Sequence, residues 1–506
     1  MAIPINEIHW AVQSEYPILA TLQLLPLLAM IAALFFKEQA YRIGVIASLL
    51  EIGVVADLFQ KFDASNAALQ FGEKLNLLPP LNYHAAVDGA SILFIMLTAI
   101  IGLLVVLYGK VRPLNPQWKF IAVVLATQVT LMGMFVTHDM LWFILLSAIQ
   151  LIPIGYLLTQ WSTSPEKELA LARFVQFMGT GLLLLAVGTF MIGWNYAQLN
   201  NGIWSFNVTD LEHTSVPSSM QSVLFFLLFY GLAVRIPLFP MHGWLPMVAE
   251  HGSVAAAPIF LLGLKTGIYG LLRFVLPVVP EAVIEWAPFV VAFAVAGIFY
   301  AALLAMLQNN LRRLFAFAVV SHTSIVIIGL FSLNLHAFQG SVMLSINFGL
   351  AIAGLLLMAG LVYRRTKTLL LSNIGGLFDH IPIIGVAFFL AGLSIVGMPG
   401  TPGFDAAHLV MEAAMERYGA LMTIAAALGN VVAAGFLLWA FQRAFLAPVR
   451  KEKYRGRVIE RASGVEITIA LATIIILLLA GFFTAPWLEV MEHSFDGLSA
   501  IYGGGH

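Results

Sequence analysis

The sequence predicts an all-α polytopic membrane protein of about fourteen transmembrane helices. The 506 residues are 60% hydrophobic and 10% charged. Apolar runs of roughly twenty residues, the length of helix that crosses a bilayer, recur from end to end. No long polar insertion or Gly/Ser linker interrupts them, so residues 1–506 read as one membrane domain.

Spans are expected at 16–36, 42–60, 88–109, 117–137, 139–160, 169–194, 219–246, 253–276, 282–307, 312–333, 338–363, 382–412, 419–446 and 464–488. The opening MAIPINEIHWAVQSE lacks the basic start and small-residue cleavage site of a signal peptide, so the first apolar run is expected to remain as a helix. Most of the 25 lysines and arginines fall in alternate loops: Lys37 and Arg42; Lys110, Arg112 and Lys119; Lys167 and Arg173; Arg312 and Arg313; Arg364, Arg365 and Lys367; and the run from Arg443 to Arg461. The opposite loops keep only Lys61, Lys74, Arg273 and Arg417. With the basic loops inside, both termini lie on the outer side, periplasmic in a bacterial inner (plasma) membrane or lumenal in a thylakoid.

Two spans break, 219–246 at RIPLFPMHGWLP and 382–412 at GMPGTPG. They are fourth in consecutive five-helix sets, 117–276 and 282–446, flanked by 1–109 and 464–506. An odd number of helices per set brings the second set in from the opposite side, the inverted repeat that places transporter sites near the midplane. The plainer reading is that Gly and Pro are common in membrane helices.

Composition also excludes chemistry. With no cysteine the chain carries no disulfide, thiolate metal site or cysteine-held cluster, so any redox cofactor is expected on a partner. No phosphate loop, metal-ligand spacing or basic nucleic-acid patch is present.

The remaining candidates are ionisable residues inside spans. Pro237 and Pro240 strip hydrogen bonds from the first broken helix, which therefore belongs against protein or trapped water. Arg235 sits at that break; guanidinium holds its proton, so it acts as a fixed electrostatic element or a structural ion pair. Lys265, about a dozen residues into its span, is the best proton carrier, because burial favours neutral lysine; the alternative is a snorkelling side chain. Tyr269 lies one turn along the same face. His322, beside Ser321, Thr323 and Ser324, reads equally as relay or as hydrogen-bonded packing. Asp405, His408, Glu412 and Glu416 follow the second break on one helical face, with Asp405 and His408 expected deeper in the membrane. His242, Glu250 and His251 flank the first break, as interfacial residues or as a place of proton uptake or release, and Tyr269 and Glu412 are further candidates for proton entry or exit.

RIPLFPMHGWLP followed by LLGLKTGIYGLLRF, with VDGASILFIMLTAIIGL before them and LRRLFAFAVVSHTSIVIIGL and GMPGTPGF after, resembles the antiporter-like membrane subunits of the respiratory complex I (NDH-1) family and its photosynthetic relatives, in the branch called subunit M, chain 4 or D. The resemblance covers nearly the whole chain. It implies fourteen helices, two inverted five-helix repeats with broken seventh and twelfth helices, and one proton-translocating module of a NADH (or ferredoxin):quinone oxidoreductase. NAD(P)H or ferredoxin, flavin, iron–sulfur clusters and quinone are then expected on the other subunits of the assembly, with lipid around this one.

Carried across one position at a time, the resemblance implies that Lys265 and His322 keep the proton route. The family's fifth-helix glutamate falls at Ala148, with Ser147 and Gln150 nearby, and its seventh-helix lysine at Arg235. An eleventh-helix histidine falls at Phe348, beside Asn347, and the twelfth-helix acid or lysine at Ala407, with Asp405 and His408 as substitutes. Three readings follow. A displaced set of Lys265, His322, His408 and Asp405 carries protons while Arg235 tunes Lys265; or the subunit is a non-pumping scaffold; or it serves a specialised assembly for inorganic-carbon uptake. An Mrp-type cation/proton antiporter is the alternative outside the oxidoreductases.

Overall fold

Lipid offers no hydrogen bonds, so an apolar run buried in it satisfies its backbone by coiling into a helix. The computed structural model describes residues 10–78, 81–111, 114–254, 257–449 and 458–503. Among these, twelve helices are long and apolar enough to cross a membrane, from Ile18–Phe35 to Gly464–Phe482. The two other expected spans are helical in shorter pieces. Residues 257–275 form Ala257–Leu262 and Lys265–Gly270, the latter running into a wider π-helical turn, Leu271–Val275. The twelfth expected span divides into Pro382–Val396 and Gly403–Tyr418. This arrangement is compatible with fourteen crossings. Arg112 and the basic residues from Arg450 to Arg457 lie outside the described residues.

The helix Leu335–Thr366 is the hub. Its apolar window is wholly buried, and it packs on both halves of the second broken span, on Leu311–Leu330 and on Gly89–Val111. Peripheral helices instead turn residues such as Leu183, Leu421 and Val431 outward. An apolar exterior of this kind suits a lipid or partner-subunit surface.

One element was absent from the helical expectation. The segment before the third helix forms an antiparallel hairpin, β1 Gln70–Leu78 with β2 Leu81–Val87. It is held from outside itself: both oxygens of Glu73 accept backbone N–H groups, from Leu19 and Ala20, each at 2.8 Å. The Glu73 side chain thereby caps the N-terminus of Ile18–Phe35, supplying acceptors to orphan N–H groups.

The proline-rich stretch ends the helix Ser218–Arg235, and a short helix, Trp244–His251, resumes after it. The freed carbonyls find new donors: Leu238 N–H bonds Ala233 O at 3.0 Å and Trp244 Nε1–H bonds Val234 O at 3.1 Å. The second break turns at Gly397, whose φ of +77° is the left-handed conformation that glycine adopts without a Cβ penalty. Gly403 is needed for a different reason, since a Cβ there would strike Ser394 O and lie 2.6 Å from Asn347 Nδ2.

Candidate proton-transfer site

Lys265 is 4% exposed and His322 is 2% exposed, although they come from separate helices, Lys265–Gly270 and Leu311–Leu330. Both line one cavity of about 20 Å³, with Phe348, Thr323 and Ile395 also in its wall. That space matches a single water molecule. The Lys265 ammonium lies 5.9 Å from the centroid of Phe348, and the His322 imidazole stands edge-on to the same ring at 4.9 Å. His322 Nδ1 is 2.8 Å from Ala318 O, one turn back, which makes Nδ1 the N–H donor and leaves Nε2 as the basic nitrogen. Nε2 is buried with no hydrogen-bond partner among the described residues.

The second break borders this site. Asn347, next to Phe348, donates through Nδ2 to Ser394 O at 3.0 Å and accepts from Ser394 Oγ at 2.6 Å. This pair fastens the hub helix to the end of Pro382–Val396, one residue from Ile395 in the cavity wall.

Arg235 has buried, neutral acceptors. Its Nη1 donates to Gln150 Oε1 at 2.8 Å and Thr266 Oγ1 at 3.1 Å, and Nη2 donates to Ser147 O at 3.4 Å. Thr266 adjoins Lys265, so the guanidinium links the broken helix to the lysine-bearing one. Ala148 faces outward while Ser147 and Gln150 face in. On a helix, neighbouring positions do not share a face, and Gln150 takes the place at the arginine.

The other candidates are dispersed. His242 is buried among Phe239, Tyr300 and Phe317. Glu250 accepts from Arg313 at 3.1 Å and lies 3.8 Å from His251, on the side of the basic loops. There a cavity of about 290 Å³ is lined by Glu250, His251, Asn310, Arg312 and Lys367. Asp405 is half-buried and accepts from Thr484 Oγ1 at 2.6 Å. His408 and Glu412 are exposed along the outer face of Gly403–Tyr418, where a deeper His408 was expected. The acids and histidine of that helix do share a face, but it turns away from Lys265 and His322. A strongly apolar inner face takes Ala406 and Val410 instead.

Glu51 was missed by the sequence reading. It is fully buried in Ala40–Lys61 and accepts from Gln128 Nε2, while Glu51 Oε1, Gln128 Oε1 and Ser48 Oγ have no partner among the described residues. The signal was present: an acid about eleven residues into an apolar helix is as costly as a base there.

Residues 137–433 match the family described as NADH:quinone oxidoreductase/Mrp antiporter, TM. The chain belongs to this NADH:quinone oxidoreductase/Mrp antiporter family. It is 30% identical to NADH-quinone oxidoreductase subunit M of Escherichia coli (strain K12) over 434 residues, 82% of either chain. It is 29% identical to NADH-ubiquinone oxidoreductase chain 4 of Arabidopsis thaliana over 494 residues, 95% of this chain and 96% of that one. The fold is shared with a chain of respiratory complex I from Thermus thermophilus, with TM-score 0.86, 24% identity, and coverage of 96% of this chain and 100% of that one. A chain of the Mrp complex from Dietzia has TM-score 0.83 at 18% identity, over 96% and 99% of the two chains. In this antiporter-family chain the two breaks and the lysine–histidine cavity fall inside the matched region.

Proposed function

We propose that this chain is the proton-translocating, antiporter-like subunit of a NADH (or ferredoxin):quinone oxidoreductase, with electron transfer and its cofactors on partner subunits. The observation that carries the reading is the pairing of Lys265 with the open Nε2 of His322 across a water-sized cavity at the second helix break. A buried ammonium without a carboxylate beside it is the group most ready to give up a proton, and an unpartnered imidazole nitrogen is ready to take one. Arg235 sets the local field and holds the broken helix. The wide cavity at Glu250 and His251 serves proton uptake from the basic-loop side, which is the inner side, with the hairpin and both termini outside. Residues 117–276 and 282–446 form the two inverted repeats.

A second reading has support of its own. The neutral partners of Arg235 suit a fixed scaffold more than a releasable ion pair. Quinone-reductase-driven proton uptake in proteoliposomes separates the two, comparing the intact complex with Lys265→Ala after mass spectrometry of the co-purifying subunits. Loss of pumping and turnover with assembly intact supports translocation by this subunit; unchanged pumping supports the scaffold. Redox subunits in the preparation support the oxidoreductase, and small antiporter proteins the Mrp-type alternative.

A further inference from the structure

Buried polar groups lie between the helix that carries Lys265 and the hairpin side without using the second repeat. Tyr269 follows Lys265 by one helical turn, and its hydroxyl is 3.4 Å from Ser91 Oγ. Ser91 Oγ also accepts from Arg273 Nη2 at 3.4 Å, and the same nitrogen is 2.6 Å from Asp88 Oδ2. Asp88 directly follows the strand β2, four residues after His84, and caps the helix that begins at Gly89 by accepting from Ser91 N–H at 2.9 Å. Beside them His138 donates its backbone N–H to His84 O at 3.0 Å, and the two imidazoles are 6.1 Å apart. His84 Nδ1 is 2.8 Å from the Asn207 amide, just before the short helix Val208–Glu212 in which Asp210 is exposed.

Two features distinguish this line from ordinary packing. His138 is 1% exposed, yet neither ring nitrogen makes a well-formed hydrogen bond among the described residues, the Val136 carbonyl being the one acceptor near the ring. Burying an imidazole with at least one nitrogen unsatisfied is costly unless something else occupies it. Burial, with the charges of Arg273 and His84 added, also holds His138 well below the usual histidine range, so it stands neutral and offers one donor and one acceptor.

We propose that this line is a second proton branch, leading from Lys265 to the hairpin face of the membrane through His138 and His84, with the Asp88–Arg273 pair as its gate. The proposal rests on the translocation reading above. The Tyr269 and Ser91 hydroxyls each take a proton on oxygen and pass on their own, so neither changes charge. No direct bond joins Asp88 to His138. A proton crosses there when Asp88 leaves Arg273, accepts it as a carboxylic acid and hands it to one nitrogen of His138 while the other releases its own toward His84. Re-forming the ion pair closes the branch and prevents back-flow.

The test uses the intact complex in proteoliposomes with His138→Phe and His138→Gln, beside Lys265→Ala. The branch predicts that both His138 variants reproduce at least half of the pumping loss of Lys265→Ala, with electron transfer under uncoupled conditions unchanged. Full pumping in either His138 variant, or a raised passive leak, overturns it in favour of a sealing plug. If Lys265→Ala pumps normally, the parent reading fails first, and separately. Should the variants not assemble, histidine C2 hydrogen exchange followed by mass spectrometry on the unaltered complex decides. Exchange at both His84 and His138 is expected, and complete protection of His138 rules the branch out.

Discussion

Lys265 and His322 both meet one phenylalanine: the ammonium lies 5.9 Å from the Phe348 ring centroid and the imidazole is edge-on at 4.9 Å. The ring faces hold partial negative charge, so Phe348 steadies the ammonium without giving it a permanent counter-ion. A carboxylate there would bind the proton at lysine; the aromatic ring leaves it transferable.

Charge alone is therefore insufficient at position 265. Lys265→Arg is expected to assemble and still to lower pumping by about threefold or more, because guanidinium does not release its proton. Pumping measured with assembled complex quantified by native electrophoresis checks this, and wild-type pumping would refute it.

The Asn347–Ser394 clasp holds the second break against the hub helix. Asn347→Ala removes both bonds and leaves buried polar groups unpaired, a loss of about 1–3 kcal/mol for such groups. A lowered midpoint for thermal disassembly of the purified complex is expected, and Asn347→Asp should not restore it, since the Nδ2 donor to Ser394 O is gone.

Gln150 matters more than its neutral character suggests. Gln150→Leu takes the shortest acceptor from Arg235 and leaves a permanent charge under-satisfied inside the membrane, so the yield of assembled complex should fall. Gln150→Glu gives the guanidinium a charged partner and is expected to assemble while slowing pumping. Normal assembly of the leucine variant would show that Arg235 needs no acceptor there.

The hairpin carries opposing pH dependences. Burial pushes Glu73 up to about 7 from 4.5, so its contribution to docking is present below 4.5 and is lost as pH rises through 7. Burial lowers His84 from 6.5 to about 4, so its contribution is present above 6.5 and is lost as pH falls through 4. In wild type the two slopes oppose each other between 4.5 and 6.5. His84→Asn should expose the Glu73 limb, with docking weakening by up to about 1.4 kcal/mol per pH unit as pH rises, and Glu73→Gln should show the reverse limb. Hydrogen exchange of the strand amides against pH measures both.

Glu51 faces neutral groups among the described residues, with Gln128 as its hydrogen-bond donor. Glu51→Gln keeps the shape, and assembly and thermal midpoint should stay within about 0.5 kcal/mol of wild type. Glu51→Leu abandons Gln128 and should destabilise. A pumping defect in the glutamine variant with assembly and thermal midpoint unchanged would mark Glu51 as a working proton site.

The sequence by itself determined the helical membrane fold, both breaks and two basic residues that the structure buries. Apolar length, proline chemistry and the cost of a buried charge are local properties, so Arg235 and Lys265 stood out without a structure. The hairpin was not legible in the same way, because its strands depend on the Glu73 side chain reaching Leu19 and Ala20. Arg273 read as a loop base until the fold set it against Asp88. Only the tertiary structure decided which candidates meet. Periodicity places residues on a face but does not say what that face touches, and so His322 joined Lys265 while His408, equally well placed along its own helix, turned outward. Distances between separate helices come from packing, and packing is a property of the whole chain.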